Sequence, residues 1–251
     1  MLTVERQTKI REMLKEKEMA TIHELVETTG SSESTIRRDL TEMEERRELK
    51  RVRGGAALLK RRQEEPALIE KQVQFVEEKQ QLAHYAASLI KQQDCIFLDA
   101  GTTILYMIPH LKDREITVVT NGITHVPLLL EHSITTYVTG GKAKEKTSAL
   151  VGHAAAETLK NYRFDACFLG VNAVDDEAGY TTPDPEESVV KQTALQVGNK
   201  NYVLADHSKM GETAFAHIAP LHAATLVTTE DISEDHQQRY SEYTEIKVVK
   251  S

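Results

Sequence analysis

The residues best suited to chemistry sit in polar turns that follow short apolar runs. Asp99, Gly101, Thr102 and Thr103 come after Cys95–Leu98; Asn121 and Gly122 after 116–120; Gly140, Gly141 and Lys142 after 134–139; Gly170 and Asn172 after 166–169; Asp206, Ser208 and Lys209 after 202–205. Glycine amides, hydroxyls, side-chain amides, lysines and acceptor carboxylates match a phosphorylated polyol better than an apolar or aromatic ligand. Gly101 lets backbone approach an anion, and Thr102 and Thr103 open a predicted helix whose positive end favours phosphate. Each turn alone is ordinary, since Gly, Asn and Asp are common turn residues; five of them at one sheet edge carry the reading. Glu187 and Lys191 add a carboxylate and an ammonium, although four-residue spacing equally describes an ion pair on a helix surface.

Such turns need a scaffold that brings them to one edge. Short, largely continuous apolar runs, with a sixth at 226–228, alternate with helical stretches. That pattern predicts a mostly parallel α/β sheet buried on both faces, whose ligands sit beyond the carboxyl ends of its strands. Ahead of it a helix is predicted over 75–92, with Leu82, Tyr85, Ala86 and Leu89 on one face.

The charge of the chain divides unevenly. The formal net charge is −8, but residues 1–60 carry 13 basic and 12 acidic side chains, and 34–62 alone carry ten basic against five acidic. An acidic body with a basic head would meet a polyanion head first. Within the head, Val4, Ile10, Met13 and Leu14 predict an amphipathic helix over 4–17. Thr21 and Glu24 form a capping box that opens a second helix at Ile22, and Gly30 closes it. A third helix starts at Ser32, with Ile36, Leu40 and Met43 as its buried stripe. Ser34, Arg38 and Thr41 then face away, flanked by Thr35 and Arg37. A helix offering hydroxyls and guanidinium groups after a tight turn is the geometry that enters a major groove. Lys50, Arg51 and Arg53 alternate with apolar residues before Gly54-Gly55, as a β-wing along a phosphate backbone would. A solvated three-helix cap is the plainer reading of the same basic cluster.

Composition narrows the rest. No apolar run approaches the ~20 residues of a membrane helix, and the first twenty residues lack the unbroken apolar stretch of a secretory signal, so a cytoplasmic protein is expected. Cys95 and Cys167 lie in apolar runs without metal-ligand spacing and are expected to be reduced core residues. The ten histidines are scattered, and no GxGxxG follows a strand; neither metal nor cofactor is expected.

Ser32-Glu33-Ser34-Thr35-Ile36-Arg37-Arg38-Asp39-Leu40, followed by Val52-Arg53-Gly54-Gly55-Ala56, resembles the winged helix-turn-helix of DeoR-type transcriptional regulators. Departures from the family's usual pattern are Ser31 for an apolar residue, Arg47 for a helix-ending Gly and Arg53 for the His before the glycines. The Asp99–Thr103 turn, Thr120-Asn121, Gly140-Gly141, Asp165–Gly170, Glu187 to Lys191 and Asp206–Lys209 resemble the C-terminal sensor domain of the same regulators, itself similar to ribose-5-phosphate isomerase. Together the two resemblances cover nearly the whole chain.

The resemblance implies a winged helix-turn-helix at 1–57, a linker at 58–74 and a sugar-phosphate sensor at 75–251. It implies a homo-oligomeric repressor of a sugar-utilisation operon, released from operator DNA by a phosphorylated sugar, with fructose phosphate favoured. DNA-contacting residues would be Ser32, Ser34, Thr35, Arg37, Arg38, Thr41, Lys50, Arg51 and Arg53. Effector-contacting residues would be Asp99, Gly101, Thr102, Thr103, Asn121, Gly141, Lys142, Gly170, Asn172, Glu187, Lys191, Asp206 and Lys209. No catalytic residue is assigned. The isomerases carry Asp-Gly-Ala-Asp-Glu where this chain has Leu169-Gly170-Val171-Asn172-Ala173, so both aspartates needed to move a proton between adjacent carbons are gone. Glu187 lies in the region of the family's catalytic Glu, and Lys209 corresponds to the lysine of its Asp-x-Ser-Lys run. A sugar-phosphate isomerase with an accessory DNA head is the alternative.

Overall fold

The computed structural model describes residues 2–17, 19–46, 48–52, 54–58 and 67–250. Its internal contacts divide the chain into two units, Met1–Arg61 and Arg62–Ser251. Arg47 and Arg53 lie outside the described residues, so the reading of Arg53 as a DNA contact has no structural counterpart.

The head comprises α1 (Thr3–Lys17), β1 (Met19–Thr21), α2 (Ile22–Thr29), α3 (Glu33–Glu45), β2 (Leu49–Val52) and β3 (Gly55–Leu58). Thr21 and Glu24 do form the capping box: the Glu24 amide donates to Thr21 Oγ1 at 3.2 Å and the Thr21 amide to Glu24 Oε2 at 2.8 Å. Gly30 ends α2 with φ 64°, a left-handed conformation glycine adopts without a Cβ penalty. Ser32 caps α3 rather than beginning it. Ile10, Leu14, Leu25, Ile36, Leu40, Met43 and Leu49 make the small core. Val4, expected on the buried face of α1, is 75% exposed; its place is taken by Arg6, whose Nε and Nη2 donate to the carboxylate of Asp39 on α3. Both side chains are buried.

The strands pair antiparallel in the order β1-β3-β2. Gly54 turns the wing at φ 85°, and a Cβ on Gly55 would lie 2.1 Å from the Ala20 carbonyl oxygen. Steric necessity therefore accounts for the diglycine.

In the body, α4 (Leu68–Val73) and α5 (Val76–Ser88) precede β4 (Cys95–Leu98), α6 (Thr102–Leu105), β5 (Thr117–Thr120), α7 (His125–Glu131) and β6 (Thr135–Val138). A hairpin, β7 (Lys142–Lys144) and β8 (Ala149–Val151), leads to α8 (His153–Lys160), β9 (Phe164–Gly170), β10 (Ala173–Asp175), β11 (Gly179–Thr182) and α9 (Pro185–Val197). The chain continues through β12 (Gly198–Leu204), β13 (Ala216–Ala219), β14 (Thr225–Thr229), α10 (Glu234–Ser241) and β15 (Ile246–Val249). Seven strands form a parallel sheet in the order β15-β14-β12-β9-β4-β5-β6. One core, around Phe97, Cys167, Leu169 and Val203, packs on one set of strand faces; another, around Leu82, Ile96, Leu98, Val118 and Phe168, packs on the other.

The six expected strands are present, extended or trimmed at their ends, and β15 joins them at one edge. Burial on both faces holds for the inner strands only. Edge strand β6 is largely exposed, as Tyr137 and Val138 show, because among the described residues no strand pairs with its outer side. Cys95, expected in the core, is exposed at the start of β4, whereas Cys167 is buried. Residues 68–73, within the stretch read as linker, are helical, and the Leu68 amide donates to the Lys146 carbonyl at 2.9 Å.

Truncating Asp39 to Ala strands the Arg6 guanidinium in the head core, and the expected cost is about 3–5 kcal/mol. Hydrogen exchange of the α3 amides in the full chain measures it. Arg6→Met combined with Asp39→Leu should recover most of the loss, and unchanged α3 protection in Asp39→Ala would refute the role of the pair.

Candidate functional site

Two groups of residues result. On the head, α3 buries Ile36, Asp39, Leu40 and Met43 and so turns Ser34, Arg37 and Arg38 to solvent, with Thr35 and Thr41 at intermediate exposure. Arg37 is held by Glu33 at 2.6 Å and Arg38 approaches Glu42 at 3.9 Å, both one turn apart on the exposed face. Ser32, Ser34 and Thr35 share hydroxyl hydrogen bonds at the start of the helix. On the wing, Arg51 donates from its guanidinium to Thr41 Oγ1 at 2.9 Å, linking β2 to α3; Lys50 lies on the same strand. Exposed ion pairs of this kind contribute little to stability, so these side chains can exchange partners for phosphates and base edges at small cost.

In the body, the strand order creates the second site. From β4 the chain runs outward through β5 to β6, then returns to place β9 on the other side of β4 and continues outward through β12. The gap between β4 and β9 is thus a topological switch point, where open α/β sheets bind ligands beyond the strand ends. A cleft of about 630 Å³, counting its open mouth, lies there, lined by Gly101, Thr102, Thr103, Gly170, Asn172, Glu187, Lys191, Asp206 and Lys209 among others. The turns after β4, β9 and β12 and the face of α9 supply these nine of the expected effector residues.

Asp99 lies directly beneath. Its Oδ2 accepts from Lys191 Nζ and, at 3.1 Å, from the Gly170 amide, while Lys191 also donates to the Gly170 carbonyl at 2.9 Å. Burial pushes the Asp99 carboxyl up, opposed by the Lys191 ammonium; its Oδ1 has no hydrogen-bond partner among the described residues. Glu187 and Lys191 are therefore not the surface pair that their spacing allowed. Glu187 is buried and accepts from Thr147 Oγ1 at 2.8 Å and Lys144 Nζ at 3.0 Å, while Lys191 turns to Asp99. Asn172 Oδ1 accepts from Thr182 Oγ1 at 3.1 Å. Asp206 Oδ1 accepts from the Ser208 amide at 3.1 Å, and its Oδ2 stands 3.7 Å from Lys209 Nζ.

Three expected residues stand apart from the cleft. Asn121 is buried behind it, its Oδ1 accepting from the Ala100 amide at 2.8 Å, and shapes the turn after β4. Gly141 packs its backbone where a Cβ would meet the Val151 carbonyl oxygen at 2.6 Å. Lys142 is exposed and paired with Glu186 at 2.9 Å. The last two follow β6, which β5 separates from β4 by about 10 Å, two strand spacings. The helix opened by Thr102 is a single turn, so individual amides and hydroxyls, rather than a long helix dipole, are what it can offer.

Leu68, Lys71, Lys79 and Thr147 also line the cleft, and the sequence reading missed them. No motif marks them, because α4, α5 and the β7–β8 hairpin reach the strand ends only in the folded chain. Burial brings the Lys79 ammonium down to about 8, with Lys209 and Lys71 adding to the shift and Asp206 opposing it. Beside the cleft, His207 donates its amide to Glu78 Oε2 at 3.1 Å, and its Nδ1 lies 2.7 Å from Glu78 Oε1. Glu78, His207 and Asp231 form a donor set compatible with a metal ion, but the Glu78 oxygens are already engaged by His207 and, at 2.8 Å, by Thr229 Oγ1.

The hydrogen bond to Glu78 is the main cause that raises the His207 pKa above its ordinary 6.5. For Glu78, burial acts upward, but the His207 and Thr229 bonds outweigh it and leave the carboxyl below its ordinary 4.5. The stabilisation from His207 is accordingly complete below its unfolded pKa and is lost as pH rises through the raised folded value. As pH rises above the ordinary histidine value of 6.5, the melting temperature should fall more steeply in the wild type than in His207→Gln; parallel profiles would refute the link.

Two family descriptions match the chain: the DeoR-like helix-turn-helix domain over residues 6–62 and the DeoR C terminal sensor domain over 74–231. Among curated relatives, the uncharacterized HTH-type transcriptional regulator FruR of Bacillus subtilis (strain 168) is 46% identical over 251 residues, covering 100% of both chains. The HTH-type transcriptional repressor GlcR of the same organism is 34% identical over 227 residues, covering 90% of this chain and 88% of its own. The lactose phosphotransferase system repressor of Staphylococcus epidermidis is 31% identical over 228 residues, covering 89% and 90%. Among solved structures, ribose 5-phosphate isomerase A from Methanocaldococcus jannaschii aligns with 53% of each chain at 18% identity and a TM-score of 0.40. With both domain descriptions matched and near-half identity along its full length, this chain belongs to the DeoR family of helix-turn-helix transcriptional regulators.

Proposed function

We propose that this regulator is a repressor of a sugar-utilisation operon, released from its operator when a phosphorylated sugar, with a fructose phosphate favoured, occupies the cleft at the β4–β9 switch point. The observation that carries the reading is the cleft itself: hydroxyls of Thr102 and Thr103, ammonium groups of Lys71, Lys79 and Lys209, and the amide of Asn172 surround one space at the strand ends. Ammonium and hydroxyl donors suit phosphate oxygens, while Asn172 and Glu187 suit sugar hydroxyls. Of the relatives, GlcR is named a transcriptional repressor and the lactose phosphotransferase system repressor a sugar-linked one, which accords with this reading.

Turnover is disfavoured by the same walls. Leu169 is buried and Asn172 cannot ionise. Glu187 and Asp206 are the carboxylates lining the cleft; Glu187 is held by Lys144 and Thr147, and Asp206 caps the turn before Lys209. A base for moving a proton between adjacent carbons needs a carboxylate aimed at substrate with an acid opposite. The isomerase alternative therefore lacks its proton-transfer pair. Operator binding places the working protein in the cytoplasm. One winged head makes few base contacts, which favours a homodimer or tetramer on repeated half-sites. An effector that prefers the released arrangement a hundredfold supplies about 2.7 kcal/mol of coupling.

Arg38→Ala should weaken binding to a duplex from the protein's own promoter by roughly tenfold or more if it reads a base, the worth of 1–3 kcal/mol. Gel shifts across a salt series test this, and an unchanged affinity would remove α3 from the interface. Thr102→Val combined with Lys209→Ala should abolish the melting-temperature rise produced by fructose 1-phosphate or fructose 6-phosphate and leave operator affinity intact. Retention of that rise would place the effector elsewhere.

A further inference from the structure

Resting on the sugar-phosphate reading, we infer that α4 is the element through which cleft occupancy reaches the DNA-binding head. Leu68 and Lys71 on α4 form part of the cleft wall, and α4 is the first helix of the body after the head in the chain. A ligand seated in the cleft therefore touches the covalent route between sensor and reader.

Among the described residues, α4 has attachments of a kind that a ligand can alter. Leu68 is its buried side chain, whereas Ile69 and Val73 are exposed at 76% and 75%. Segments with little buried apolar surface open at low free energy. Beyond the Leu68 amide, α4 is held by the Tyr106 hydroxyl, which donates to the Gln72 carbonyl at 3.2 Å, and by Lys79. The Lys79 ammonium donates to the Lys71 carbonyl and, at 2.7 Å, to the Gln74 carbonyl. Lys79 also lines the cleft, with Asp206 and Lys209 within electrostatic reach of its ammonium, so an anionic ligand competes with the α4 carbonyls for the same donor. Phe75, between α4 and α5, adopts φ 51° and ψ 43°, a left-handed conformation that is strained for an aromatic residue. Contact, tether and strained backbone thus coincide within residues 68–75.

The test uses the full chain with fructose 1-phosphate or fructose 6-phosphate, whichever raises the melting temperature. At saturation, hydrogen exchange of the amides of 68–75 should change by about fivefold or more, and unchanged exchange with proven binding overturns the inference. Tyr106→Phe removes a tether of α4 without altering a cleft-lining side chain. It should leave effector affinity within about twofold while changing the effect of effector on operator affinity by roughly fivefold, the worth of one neutral hydrogen bond. An unchanged operator response overturns transmission through α4. If neither fructose phosphate nor any other hexose or pentose monophosphate raises the melting temperature, the sugar-phosphate reading falls and this inference with it, a result separate from the exchange measurement.

Discussion

The buried ion pair between Asp99 and Lys191 organises the sensor. Asp99 directly follows β4, Lys191 projects from α9, and both hold the backbone of Gly170 at the end of β9. One carboxylate and one ammonium thereby close the floor of the gap where the sheet reverses direction. Two charges with almost no solvent access tolerate each other only as a pair with further hydrogen bonds, since loss of either partner leaves the other uncompensated. The floor is consequently held by a pair that neither partner can leave cheaply, and the walls above it are the Thr102-Thr103 turn, the Asp206–Lys209 turn and α4.

The head repeats the device on a smaller scale. Arg37, Arg38 and Asp39 are consecutive, yet they divide the work. Two arginines face water, and the aspartate turns inward to Arg6, which is how a single motif both presents α3 and fixes it against α1. The wing obeys a steric rule instead. Gly54 takes a positive φ and Gly55 admits the close passage of β1, so neither position accepts a side chain without strain.

The proposed reading asks the cleft to bind a sugar phosphate without turning it over. Leu169 and Asn172 are neutral, and Thr102, Thr103, Asn172 and Lys209 line the cleft. Binding and catalysis draw on different groups in such a site, because transition-state proton movement requires ionisable partners and ground-state recognition does not.

Local patterns determined a great deal from sequence alone. Capping at Thr21, the buried stripe Ile36, Leu40 and Met43, and six of seven strands of the parallel sheet follow from rules spanning a few residues, so they were legible. Nine of thirteen expected effector residues line the cleft, because turns after adjacent central strands converge wherever the sheet places them. Tertiary structure alone decided strand order, and with it the exclusion of Lys142 beyond β5, the burial of Asp99 and the partner of Lys191 ninety-two residues away. It also brought Lys71 and Lys79 to the cleft from a charged stretch with no motif. A side chain's neighbours across a sheet depend on which strands pair, and no short-range periodicity encodes that order.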